Sequence, residues 1–124
     1  MNNGIDVAVP EVPTLLQQIG QRLVEVGVQD SPPSVYVLNK YPVGYKISRH
    51  VDHKDNGPVI PVCGIASACE MILTHRRTGK KYSIDFQPRS LVVLTKESRY
   101  DYFHEILPVK ALRWALVFRN IPSP

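Results

Sequence analysis

The fold is decided by Glu70-Met71-Ile72-Leu73-Thr74-His75-Arg76-Arg77-Thr78-Gly79-Lys80-Lys81-Tyr82-Ser83-Ile84-Asp85-Phe86-Gln87-Pro88-Arg89-Ser90-Leu91-Val92-Val93-Leu94-Thr95. Three short runs rich in Val, Ile, Leu or Tyr, at Glu70–His75, Lys81–Phe86 and Ser90–Thr95, are cut by Thr78-Gly79 and Gln87-Pro88-Arg89. Runs this short, bounded by turn residues, read as strands rather than helices. Working outward, the same pattern recurs at Ser34–Asn39, Tyr45–His50, Val59–Ile65, Tyr102–Ile106 and Arg113–Arg119. Pro42-Val43-Gly44 and Asp55-Asn56-Gly57-Pro58 supply further turns. About eight short strands at this spacing predict a mainly β body: a sandwich, a jelly roll or a barrel.

One helix precedes it. Leu15, Leu16, Ile19, Leu23 and Val26 recur at helical spacing, Thr14 with Gln17 reads as a capping box behind Pro13, and Gly27 is the expected stop. Gly20 inside weakens that helix by roughly 1 kcal/mol. Gln29-Asp30-Ser31-Pro32-Pro33 cannot continue it and reads as a linker. The expected organisation is a loose leader over residues 1–10 and a single domain over 11–124.

The 124 residues are 44% hydrophobic and 21% charged, with mean hydropathy −0.13, values that support a buried core and exclude wholesale disorder. A formal charge of +4 is compatible with a polyanionic partner but does not argue for one alone. No stretch approaches the ~18 apolar residues of a membrane span. Met1 to Asp6 lacks the basic-then-apolar order of a signal peptide. Two cysteines, Cys63 and Cys69, make no disulfide framework. The expectation is an intracellular, reducing compartment (cytoplasm or nucleus), a monomer, and no membrane partner.

The candidate chemistry starts at His50-Val51-Asp52. Residues two apart on a strand share a face, so one imidazole and one carboxylate converge. A third nitrogen donor would complete a facial 2-His-1-carboxylate set suited to non-haem Fe(II). His53 should point away and His75 begins a polar hairpin tip. His104, in Tyr102–Ile106, is the candidate in an interior position. On its own the tripeptide reads more simply as a surface histidine beside a turn aspartate. Arg113-Trp114-Ala115-Leu116-Val117-Phe118-Arg119 adds weight: both faces look buried, yet one carries a guanidinium at each end. Buried guanidinium groups need carboxylates, from Asp52 or from a dicarboxylate ligand, unless both snorkel into water. Asn39 and Tyr41 share a face and carry donors for a bound carboxylate, although a turn Asn and a pairing Tyr would look the same.

Taken together, Asn-x-Tyr, His-x-Asp, a distant His and Arg-x5-Arg at the end of a β body resemble the AlkB family of Fe(II)/2-oxoglutarate dioxygenases. The stretches are Leu38 to Asp52, Arg89 to Ile106 and Arg113 to Arg119, and the likeness covers roughly residues 11–120. The resemblance implies a double-stranded β-helix (a jelly roll) with the N-terminal helix packed on it. It implies Fe(II) on His50, Asp52 and His104 as the catalytic centre. It also implies 2-oxoglutarate held by Arg119, Arg113, Asn39 and Tyr41, with O2 as oxidant. The implied reaction is oxidative demethylation of N-alkylated bases in DNA or RNA, as in DNA repair or RNA modification. The partner would be single-stranded or flipped-out methylated nucleic acid.

The chain departs from the family in four places. Ala115 stands where a polar residue is common, Glu105 replaces a Gly after the second His, and Gly64-Ile65-Ala66 stands for Ser-Leu-Gly. About ten residues precede the helix, so a nucleotide-recognition lid is expected to be reduced, or the chain to be the catalytic core of something longer. Candidate substrate contacts are His53, Lys54 and Asp55 after the metal motif and Arg76 and Arg77 at the basic tip with Lys80 and Lys81. Tyr102, with Tyr45 and Tyr100, is a candidate for stacking. The four-residue gap between Arg99 and His104 looks more like the tRNA-modifying branch. The alternatives are hydroxylation of a modified tRNA uridine or a protein side chain, and a non-catalytic jelly-roll module that binds nucleic acid.

Overall fold

The computed structural model describes residues 12–121, so the expected leader over residues 1–10 lies outside the described residues. In chain order the elements are α1 (Thr14–Glu25), β1 (Val35–Tyr41), β2 (Ile47–His50), β3 (Val59–Ile65), β4 (Cys69–His75), β5 (Lys81–Phe86), β6 (Leu91–Thr95), α2 (Lys96–Tyr100), β7 (Tyr102–Ile106) and β8 (Arg113–Arg119). The strands form two four-stranded antiparallel sheets, ordered β1-β8-β3-β6 and β2-β7-β4-β5. This is the jelly roll that the family resemblance implies, one of the three architectures the strand spacing leaves open.

Two apolar layers hold it together. Between the sheets, Tyr41, Met71, Phe86, Ile106, Val109 and Ala115 form one buried cluster, and Ile60, Leu94 and Val117 another. Outside the β1-containing sheet, α1 lays Leu16, Ile19 and Leu23 onto Leu116, Phe118, Tyr36 and Cys63. Strand β8 is therefore covered on both faces, which is why its sequence is almost continuously apolar between the two arginines. Tyr36 meets Phe118 edge-to-face at 5.7 Å, and its hydroxyl comes too close to Gly20 for any side chain to fit there. The glycine that weakens α1 is what lets the helix seat on the sheet.

Four expectations are corrected. Strand β2 begins at Ile47 and not at Tyr45, whose amide donates to the Pro42 carbonyl in a turn. The capping box at Thr14 and Gln17 does not form: Thr14 is already helical, Pro13 is the cap residue, and the Gln17 amide donates to the Val12 carbonyl at 2.9 Å. A second helix, α2, carries no periodic signal in the sequence, because five residues are too few to show one. Strand β1 runs on to Tyr41, because it pairs residue for residue with β8 as far as Tyr41 opposite Arg113. Gly27, at φ +83°, does end α1.

Candidate active site

Two facing rows of side chains make the site. Across one sheet, His50 of β2 is paired with His104 of β7, His104 with Leu73 of β4, and Leu73 with Tyr82 of β5. Directly paired residues share a face, so both imidazoles point into the barrel. Their rings lie 4.3 Å apart. Across the other sheet, Arg113, Ala115, Val117 and Arg119 alternate down the inward face of β8, with Asn39 and Tyr41 beside them on β1.

Asp52 follows β2 on a loop and brings its carboxylate between the histidines. Its Oδ1 is 3.2 Å from His50 Nε2 and 3.8 Å from His104 Nε2. One ligand atom from each of the three residues lies within 4.8 Å of the others. His50 Nδ1 is 2.9 Å from the Ser48 carbonyl, which orients the ring and leaves Nε2 facing the cluster.

The electrostatics suit a cation. Burial pushes the Asp52 carboxyl up, but the His50 hydrogen bond and the charges of His104, His50 and Arg119 outweigh it, so the group sits below the usual carboxylate range. His104 is lowered to about 4, first by burial and then by the His50 charge. His50 is raised, chiefly by its hydrogen bond to Asp52. At neutral pH this gives an ionised carboxylate and a neutral His104, the protonation states that metal ligation requires.

The cavity behind these ligands holds about 140 Å³, many times the ~10–15 Å³ that one water needs. Ile47, Val62, Met71, Phe86, Ile106 and Val117 give it apolar walls. Arg113 is fully buried at its far end. Its Nη1 donates to the Ser67 carbonyl at 2.6 Å and its guanidinium lies 4.4 Å over Phe86, while Nε and Nη2 have no acceptor among the described residues. Arg119 Nε is likewise buried without one. Buried guanidinium groups left short of acceptors in an otherwise apolar cavity are a demand for a carboxylate ligand, and two of them fit a diacid. The snorkelling alternative therefore fails for Arg113. A larger open depression of about 690 Å³, lined by Glu70, Ser83, Asp85 and Lys110 among others, has no histidine in its wall.

The substrate candidates are not all brought together. Tyr102 sits at the barrel mouth, paired with His75 and two residues from His104; its ring is 4.9 Å from His75 and 6.0 Å from Tyr82. His53 and Asp55 are exposed on the loop beyond Asp52, 3.5 Å from one another, and Lys54 is exposed between them. Arg76 and Arg77 are exposed at the β4–β5 turn, beside His75 and Asp101.

Two further residues belong to the site without a signal in the sequence. Tyr82 joins the mouth only through cross-strand register. Arg99 of α2 is 2% exposed and makes three hydrogen bonds into the loop that carries Asp52: Nη1 to the Asp52 carbonyl at 3.0 Å, Nη2 to that of His53 at 2.9 Å and Nε to that of Gly57 at 2.9 Å. A buried arginine whose partners are main-chain carbonyls leaves no residue-type signature at a distance.

A family model described as the 2OG-Fe(II) oxygenase superfamily matches residues 3–118. The chain belongs to that superfamily. It is an AlkB-like oxygenase of the Fe(II), 2-oxoglutarate and O2 type, and its His-Asp-His cluster fits iron. Among curated proteins it is similar to tRNA (carboxymethyluridine(34)-5-O)-methyltransferase ALKBH8 of Mus musculus, 31% identical over 80% of this chain and 15% of that protein. It is also similar to alpha-ketoglutarate-dependent dioxygenase alkB homolog 7, mitochondrial, of Bos taurus, 40% identical over 60% of this chain and 34% of that protein. The chain thus spans a minor part of either relative. The solved structure of OsALKBH1 superposes with a TM-score of 0.70, at 16% identity, over 90% of this chain and 67% of that one, a likeness of fold.

Proposed function

We propose that this oxygenase removes N-alkyl groups from bases of DNA or RNA presented single-stranded or flipped out of a duplex, a reaction of DNA repair or RNA modification. The observation that carries the reading is the continuity of one sheet face. The row that ends in His50 and His104 continues through Leu73 to Tyr82, and Tyr102 and His75 stand one row nearer the mouth. A planar base entering toward the ligands would pass rings on which it can stack, and Arg76 and Arg77 on the same hairpin could meet phosphates.

In this reading His50, Asp52 and His104 hold Fe(II), and Arg113, Arg119, Asn39 and Tyr41 hold 2-oxoglutarate. Bound there, Fe(II) with 2-oxoglutarate and O2 supplies the oxidising power that hydroxylates a C–H bond. The chain does the rest by placement. Neutral His104 and ionised Asp52 offer lone pairs without a competing proton. The free N–H groups of Arg113 and Arg119 take the diacid's carboxylates. The apolar walls keep water away from the ligands. Hydroxylation of an N-methyl group gives an N-hydroxymethyl group, which loses formaldehyde.

Hydroxylation of a modified tRNA uridine is the second reading; the mouse relative's name gives a tRNA carboxymethyluridine as that protein's substrate. Residues 11–124 are taken as one domain acting as a monomer in the cytoplasm or nucleus, a placement supported by the free thiols Cys63 and Cys69. No helix among the described residues is long and apolar enough to cross a membrane.

The test is a panel of methylated single-stranded DNA and RNA oligonucleotides with Fe(II) and 2-oxoglutarate. Formaldehyde and succinate in equal amounts on any of them supports demethylation. Succinate with a hydroxylated uridine and no formaldehyde supports the second reading. No oligonucleotide-dependent succinate on any substrate contradicts a nucleic-acid substrate and turns the search to protein side chains.

A further inference from the structure

We infer that Arg99 is a positioning residue for the metal centre, acting through the main chain of Asp52; the inference rests on the iron-centre reading above. Two of the three ligands are fixed by the sheet. His50 and His104 are paired neighbours in antiparallel strands, and their backbones are held by the ladder. Asp52 is not. Strand β2 ends at His50, and residues 51–53 lie outside any strand or helix. The carboxylate that must stand between two imidazoles is carried by a loop.

Arg99 supplies what the sheet does not. Its guanidinium is buried against this loop and donates from Nη1, Nη2 and Nε to the carbonyls of Asp52, His53 and Gly57, at 3.0, 2.9 and 2.9 Å. One planar fork thus pins both the start and the end of the segment that carries the ligand. Lysine has the charge but not the fork, and cannot hold three diverging carbonyls. The side chain is delivered from a firm base. Helix α2 follows β6 directly and is braced from the hairpin, where Arg76 donates through Nη1 to the Tyr100 carbonyl at 3.0 Å and through its amide to Asp101 at 2.9 Å.

The geometry separates a positioning role from a merely structural one. Arg99 touches neither the ligand atoms nor the 2-oxoglutarate cavity, so its loss should be read at the metal before it is read in 2-oxoglutarate binding. Outer supports of ligands typically cost 10–100-fold in metal affinity when removed.

The test titrates Co(II), as a stand-in for Fe(II), into wild type, Arg99→Lys, Arg99→Ala and a core control, Leu94→Ala, following the visible d–d spectrum and the melting temperature of each. The expected result is one Co(II) per wild-type chain. Arg99→Lys should weaken binding about 10–100-fold with an altered band shape. Leu94→Ala should lose melting temperature while keeping affinity and spectrum. Equal affinity and spectrum in wild type and Arg99→Lys overturns the inference and leaves the iron-centre reading standing. Failure of wild type to bind Co(II) overturns both. Should both Arg99 variants fail to fold, exchange of the Arg99 Nε–H in wild type decides. Slower exchange on adding Zn(II) supports the clamp, and no change overturns it.

Discussion

Gly64 lies against the Arg113 guanidinium: a Cβ built on Gly64 would stand 2.8 Å from Arg113 Nη2, 2.9 Å from the Gln87 carbonyl oxygen and 3.0 Å from Phe86 Cε1. The glycine of Gly64-Ile65-Ala66 is thus a cradle for the buried arginine. Gly64→Ala must push Arg113 off Phe86 or move the strand, at about 1–3 kcal/mol. The expected outcome is a rise of about tenfold in KM for 2-oxoglutarate, equivalent to ~1.4 kcal/mol, with metal affinity unchanged. Steady-state succinate assays alongside a Co(II) titration check both halves.

The same turn carries a strained alanine. Ala66 has φ +78°, a left-handed conformation that disfavours any side chain, and the next residue, Ser67, gives its carbonyl to Arg113. Ala66→Gly should therefore stabilise the protein, by about 1 kcal/mol or somewhat less after the glycine entropy cost. Thermal melts check this; an unchanged or lower melting temperature contradicts it.

The metal-free protein should weaken on mild acidification. His104 sits at about 4 when folded, against 6.5 for the free group. Below 6.5 the unfolded chain takes up a proton that folded His104 refuses, so stability falls as pH drops through that window and levels off below the folded value. The full contribution, present above pH 6.5, is about 3 kcal/mol. His50 works the other way, since its raised value favours the folded state at low pH. Melts of metal-free protein between pH 7 and 4.5 should show a decline that shrinks in His104→Gln. An equal decline in that variant contradicts the assignment.

A phosphate-binding role for the hairpin predicts a salt signature. Arg76→Ala with Arg77→Ala should weaken single-strand binding and flatten the slope of log affinity against log salt by about 0.7 per lost contact. Arg76 also braces α2 through the Tyr100 carbonyl, so Arg77→Ala alone is the cleaner variant. An unchanged slope there contradicts contact at Arg77.

Much of this was legible in the sequence because strands have a period of two. Strands β3, β5, β7 and β8 fall where apolar runs meet turn residues, and the same alternation places Arg113 with Arg119 on one face; Asp52 does meet His50, but from a loop beyond the end of β2 and not by the strand alternation the sequence suggests. What stayed hidden depends on register and main chain. Tyr45 reads as the start of β2, yet its amide is taken by the Pro42 carbonyl in a turn and the strand begins at Ile47. Tyr82 reaches the mouth through Leu73, two strands from His104. Arg99 grips carbonyls that every residue has. Thr14 and Gln17 carry the letters of a capping box, but the chain enters the helix one residue earlier than the box requires.

The proposed chemistry requires His50, Asp52 and His104 to hold one iron beside a diacid gripped by Arg113 and Arg119. The most direct measurement is an anaerobic titration with Fe(II) followed by 2-oxoglutarate, watched by visible charge-transfer absorption. The expected result is a band that saturates at one iron and one 2-oxoglutarate per chain, disappears in Asp52→Ala and requires far more 2-oxoglutarate in Arg113→Met. No band in the wild-type protein, or a band that survives both substitutions unchanged, would contradict it.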